Sequence, residues 1–106
     1  MDKILIISKD TGQTQKFIRE LPDYLKTTQA DFSVDFVFYP HYEESVASMD
    51  WDVIGLSPEL LVEEKSVRAR LKELGVNTRV KAIRGVHFGL RRFDLIFPAI
   101  LADYVI

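Results

Sequence analysis

Ser8 is the first residue of the chain placed to do chemistry. It ends the apolar run Ile4-Leu5-Ile6-Ile7 and opens a polar, glycine-bearing stretch, Ser8-Lys9-Asp10-Thr11-Gly12-Gln13-Thr14, that leads into a helical pattern. A strand, a polar loop and a helix in that order put free backbone amides at a helix N-terminus, which attracts phosphate and other anions. The amides of residues 11–14 would face such an anion; Lys9 adds positive charge and Asp10 opposes it. The same residues also read as an ordinary strand-to-helix turn with Asp10 or Thr11 as its N-cap. A serine hydroxyl has no accessible ionised form and needs a base to act as a nucleophile.

Two further stretches close a strand pattern with polar residues: Ser57-Pro58-Glu59 after Asp52-Val53-Ile54-Gly55-Leu56, and residues 84–89, which contain His87. A lone loop histidine is more often solvated or packed than functional. His41 follows Pro40 and is assigned to the opposite or lateral side. The two histidines, 41 and 87, have no i, i+4 spacing and no carboxylate pair beside them, so no metal site is expected. No cofactor is implied. Gly12 has no partner glycine leading into Lys-Ser/Thr, so there is no Walker A loop. There is no G-x-S-x-G elbow. The third strand ends in Leu56-Ser57, without the aspartate that a response regulator requires.

These residues need elements to hold them. The run 4–7 suits a strand buried on both faces. Phe17, Ile18, Leu21 and Leu25 carry helical spacing over 13–26, with Pro22 expected to kink or weaken the helix. Phe32, Val34, Phe36 and Phe38 alternate with more polar neighbours as in a half-exposed edge strand, ended by Pro40. Residues 41–49 supply a helical turn or two. A third strand covers 52–56 and a long amphipathic helix 59–74, with Leu60, Glu64, Val67, Leu71 and Leu74 on one stripe and Gly75 as its stop. A fourth strand covers 78–83 and a loop 84–89. A last helix covers 90–104, interrupted near Pro98, although Leu95-Ile96-Phe97 also suits a strand. The aromatic set Phe32, Phe36, Phe38, Tyr39 and Trp51 reads as packing, or as an interface if residues 36–42 prove exposed. The order β-α-β-α-β-α-β-α predicts an α/β fold: a small doubly wound parallel sheet with helices on both faces. Ligands of such sheets bind outside the carboxyl ends of the strands.

Length and composition narrow the function. The 106 residues fit one domain, 1–106, able to bury a core without disulfides or metal. The absence of cysteine excludes a disulfide scaffold, a thiolate metal site and a thiol nucleophile. A net charge of −2 gives no reason to expect nucleic acid as a partner. Arg79, Lys81, Arg84, Arg91 and Arg92 make the last third basic, and Glu43, Glu44, Asp50, Asp52, Glu59, Glu63 and Glu64 make the middle acidic, an asymmetry that can steer a protein partner. The apolar run after Lys3 is too short for a signal peptide, and no segment approaches the roughly 20 apolar residues of a membrane span. A cytoplasmic protein without direct membrane insertion is the expectation.

Taken in order, the motifs resemble the lactose/cellobiose-type enzyme IIB of the bacterial phosphoenolpyruvate-dependent sugar phosphotransferase system. Lys3-Ile4-Leu5-Ile6-Ile7 is similar to that family's first strand. Asp52-Val53-Ile54-Gly55-Leu56-Ser57-Pro58 is similar to its third strand and following turn. Lys72-Glu73-Leu74-Gly75-Val76 is similar to the helix end before strand four, and His87-Phe88-Gly89-Leu90 to the loop before the last helix. The resemblance implies a four-stranded sheet of order 2-1-3-4 and a phosphocarrier role. A cysteine at the end of strand one takes a phosphoryl group from a histidine of a IIA component and passes it to a sugar bound by the membrane permease IIC, with the loop amides holding the phosphate. It places the catalytic position at Ser8, the phosphate loop at Lys9, Asp10, Thr11, Gly12, Gln13 and Thr14, and the edge of the site at Ser57, Pro58 and His87.

The chain departs from that pattern at Ser8, where the family has its cysteine, and in a more charged loop whose glycine comes one place later. A thiol ionises near pH 8.5, and lower at a helix N-terminus; a serine does not. Phosphoserine is a stable ester and a poor donor to a sugar, so relay through Ser8 is expected to be very slow or absent. The alternative is a non-catalytic regulatory or interaction module on the same scaffold.

Overall fold

The computed structural model describes residues 2–102. Four parallel strands, β1 (Asp2–Ser8), β2 (Phe32–Phe38), β3 (Val53–Leu56) and β4 (Arg79–Ala82), form one sheet in the order β2-β1-β3-β4. Ile4 pairs with Val34 on one side and Val53 on the other, which fixes the register. Helices lie on both faces, as the alternation of strand and helix patterns predicts.

The sheet sorts its side chains by parity. From β1, Ile4 and Ile6 point to one face and Leu5 and Ile7 to the other, and all four are essentially inaccessible. The first face is covered by α1 (Gly12–Thr27), α4 (Gly85–Gly89) and α5 (Phe93–Leu101) through Phe17, Leu21, Phe88, Phe93, Ile96 and Phe97. Phe17 stacks on Phe88 with ring centroids 4.6 Å apart and meets Phe93 edge-on at 4.9 Å. Each such ring contributes about 1.5–3 kcal/mol by leaving water. The second face is covered by α2 (Glu43–Ala47) and α3 (Glu64–Glu73) through Tyr42, Val46, Val67 and Leu71. Four of the five aromatics pack: Phe32 lies against Phe97, Phe36 against Phe17 and Tyr39 against Tyr42, and Trp51 is buried, while Phe38 is half-buried. Edge strand β2 is half-buried along nearly its whole length, as its alternation predicts.

Several expectations need correction. The helix expected over 59–74 is split into a 3₁₀ turn, Pro58–Leu60, and α3. Side-chain bonds from Glu59 to residues of α1 anchor that turn, so tertiary contacts override the helical periodicity. The buried stripe is therefore Leu60, Val67 and Leu71, while Glu64 pairs with Arg68 and Leu74 is over a third exposed. Residues 85–89 form a helical turn rather than a loop, because fully buried Phe88 draws them onto Phe17. Helix α5 starts at Phe93, after Arg91 takes a left-handed φ of 52° that breaks helical phase. Leu95-Ile96-Phe97 is helical and α5 runs through Pro98; the expected extension to Tyr104 falls outside the described residues. Helix α1 likewise runs through Pro22. Gly75, at φ 77°, follows α3 in the left-handed conformation that suits glycine at a helix stop.

Candidate functional site at the carboxyl edge of the sheet

Parallel strands send their carboxyl ends to one edge. There β1 delivers Ser8, the end of β3 delivers Ser57, and the N-cap and first turn of α1 deliver Thr11 and Thr14. The Ser8 carbonyl accepts the Tyr39 N–H at 2.7 Å and the Ser57 N–H donates to the Ile7 carbonyl at 3.0 Å, so both serines sit on fixed backbone. Thr11 is the N-cap: its Oγ1 accepts the Thr14 N–H at 3.2 Å. Of the two candidate caps, the threonine is the one used, and Asp10 instead accepts the Gln15 side-chain amide at 2.8 Å.

Three of these polar groups are buried. Ser8 and Thr14 have no exposed surface and Ser57 retains 2 %. Ser8 Oγ lies 2.8 Å from Thr14 Oγ1, 2.9 Å from Ser57 Oγ and 3.2 Å from Glu59 Oε1. One hydroxyl proton can serve only one of these oxygens at a time. The group that organises the cluster is Glu59. Its Oε1 accepts the Thr14 hydroxyl at 2.7 Å and its Oε2 accepts the Thr11 hydroxyl at 2.5 Å.

The first turn of α1 contains no acidic residue. Its positive dipole end receives a carboxylate from 45 residues away instead. Glu59 thus stands at the helix terminus where an incoming oxyanion would be drawn. Two unit charges about 4 Å apart repel by about 4 kcal/mol at an effective dielectric constant near 20. A helix terminus returns typically about 0.3–1 kcal/mol and at most about 2. The Glu59 carboxylate on the Thr11 and Thr14 hydroxyls therefore opposes a phosphate at the same place. In the geometry shown, Glu59 Oε1 is close enough to Ser8 Oγ to serve as a base. A phosphoryl donor has no path to Ser8, which is completely covered.

The remaining expected site residues divide. Lys9 turns to Glu63, Nζ to Oε1 2.8 Å, so its charge serves that ion pair. The hydrogen bond from Lys9 holds the Glu63 carboxyl below its ordinary range. Gly12 faces open space, whereas Gln13 reaches α4: a Cβ at Gly89 would lie 3.0 Å from Gln13 Nε2. Pro58 opens the 3₁₀ turn and packs near Gly85. His87 makes no hydrogen bond to the serine cluster among the described residues; it lines a cavity of about 180 Å³ with Arg84 and Ile83. His41 follows β2 on the carboxyl edge, not on an opposite side, where it lines a cavity of about 220 Å³ with Pro40, Glu43 and Glu44. Sequence reasoning reached Glu59 only as the end of the candidate stretch 57–59 and gave it no role in the site. Its position directly after Ser57-Pro58, at a strand's carboxyl end, was the available signal.

No family model and no curated protein matches the chain. Among solved structures it is similar to the lactose-specific IIB component domain of the phosphoenolpyruvate:carbohydrate phosphotransferase system from Streptococcus pneumoniae. The two are 16% identical over 82% of this chain and 80% of that one, with a TM-score of 0.61. At this identity the likeness is one of fold, and the four-stranded parallel sheet of order 2-1-3-4 is what the two share. Among the described residues, no helix is long and apolar enough to cross a membrane.

Proposed function

We propose that this chain is a IIB-like module, residues 1–106 acting as one domain, that engages components of a sugar phosphotransferase system without carrying the phosphoryl group itself. The observation that carries this reading is the Glu59 carboxylate seated on the Thr11 and Thr14 hydroxyls beside a fully buried Ser8. A phosphoryl relay needs a reachable nucleophile, ionised or activated by a base, and an empty oxyanion cradle. Ser8 offers a neutral hydroxyl, and the cradle already holds an anion. The likeness to the lactose-specific IIB domain supports the scaffold and, through it, a IIA-like and a IIC-like partner on the cytoplasmic side. Regulation or occupancy of a docking surface then replaces transfer to lactose, cellobiose or a related sugar.

The test is intact mass after incubation with phosphoenolpyruvate, the general transfer proteins and a panel of IIA subunits, with binding to the same IIA subunits measured in parallel. The expected result is binding without the mass gain of one phosphoryl group. A mass gain that maps to Ser8 overturns the reading in favour of a working relay. Neither binding nor mass gain would remove the phosphotransferase partners altogether.

A further inference from the structure

The cavity beside His87 shares no lining residue with the serine cluster. Its floor is aliphatic: Ile83, Ile96 and Ile100 are each at least 95% buried and Ala99 completes the wall. Arg84 and His87 stand at its rim. Most arginines of the chain are committed. Arg68, Arg70 and Arg92 hold carboxylates through hydrogen-bonded ion pairs, and Arg91 Nε lies 2.8 Å from Glu20. Arg84 is exposed, and its guanidinium makes no hydrogen bond or ion pair among the described residues. An apolar hollow with an uncommitted guanidinium at its mouth is built for a ligand with an apolar tail and an anionic head. Guanidinium is the side chain that grips a carboxylate in two places at once.

We propose that this cavity binds a small aliphatic carboxylate, with its tail against Ile83, Ile96 and Ile100 and its head on Arg84. The size sets the class. Sites for drug-sized ligands begin at about 300 Å³, so about 180 Å³ excludes them. At about 30 Å³ per water-sized group, the hollow takes a tail of roughly four to six carbon atoms. This inference is independent of the phosphotransferase reading, because no residue of the Ser8–Glu59 cluster takes part.

The experiment is a methyl-resolved NMR titration of the intact chain with straight-chain carboxylates from acetate to octanoate, and with 1-pentanol as the neutral match for pentanoate. Saturable shifts of the Ile83, Ile96 and Ile100 methyls are expected. The tightest binding should fall at acids of about five to seven carbons, that is, tails of four to six, with a Kd on the order of 1 mM. Arg84→Ala should weaken pentanoate about tenfold. Ala99→Leu, a change at an exposed position that fills the hollow, should abolish binding while the circular dichroism spectrum stays unchanged. Methyl shifts that are absent at about ten times that concentration overturn the proposal. So does equal binding of 1-pentanol, or binding that survives Ala99→Leu.

Discussion

Thr14, on the first turn of α1, donates its hydroxyl to Glu59 Oε1 at 2.7 Å across a sequence separation of 45 residues. This bond ties the start of the first helix to the turn after the third strand. It fixes an acid at a helix N-terminus that has a threonine cap but no acidic residue in its own first turn. Because Thr14 is fully buried, Thr14→Val keeps its shape but withdraws the donor from Glu59 and a partner from Ser8. We expect a loss of about 1–3 kcal/mol, measured by urea denaturation, with Thr14→Ser close to the unaltered chain.

Thr11 does two things at once: it caps α1 through the Thr14 amide and donates to Glu59 Oε2. Thr11→Ala is expected to cost about 1–2 kcal/mol from the lost cap. In a cycle with Glu59→Ala the two changes should be non-additive, with a coupling of about 0.5–3 kcal/mol. Additive effects would mean that the carboxylate is not held by this hydroxyl in solution.

The surface ion pairs give the chain an acid limit. Hydrogen bonds from Arg70, Lys9 and Arg92 hold Glu43, Glu63 and Asp94 respectively below their ordinary values. A depressed folded-state pKa means that the unfolded chain binds protons first as pH falls. The stabilisation is therefore present above the ordinary carboxylate range and is lost as pH drops through and below it. Urea midpoints should fall below about pH 4.5, and Lys9→Ala should flatten that decline while raising the apparent pKa of Glu63, followed by carboxyl NMR.

Tyr42 sets an alkaline limit of opposite sign. It is 5% exposed, and burial first, then the neighbouring Glu43 charge, pushes its phenol above the ordinary value of 10.0. The folded state keeps the proton longer than the unfolded state, so stability holds below pH 10 and declines as pH rises past it. Tyr42→Phe should remove that alkaline decline without changing the acid one. The check is thermal unfolding between pH 8 and 11 (roughly spanning the ordinary phenol pKa).

Much of this architecture is legible in the chain. The apolar run at 4–7, the alternation at 32–38 and the helical spacing of Phe17, Leu21 and Leu25 are local signals, and each lies where its element forms. So does the place of Ser8 at the tip of the first strand and Thr11 as a cap candidate. What local patterns do not carry is long-range partnership. Glu59 looks like one more acid in an acidic middle, and only the side-by-side pairing of β1 and β3 brings it to α1. The same holds for Lys9, whose charge goes to Glu63, and for residues 85–89. Two glycines mark that segment as loop until the buried ring of Phe88 pulls it into a turn of helix.

The most direct test of the account is whether the first turn of α1 accepts an oxyanion while Glu59 is in place. Inorganic phosphate can be titrated into the unaltered chain and into Glu59→Ala, following the backbone amide resonances of residues 11–14. The account predicts no saturable shifts in the unaltered chain and clear saturable shifts in Glu59→Ala, where the helix terminus has lost its internal carboxylate. Equal shifts in both proteins, or none in Glu59→Ala, would contradict it.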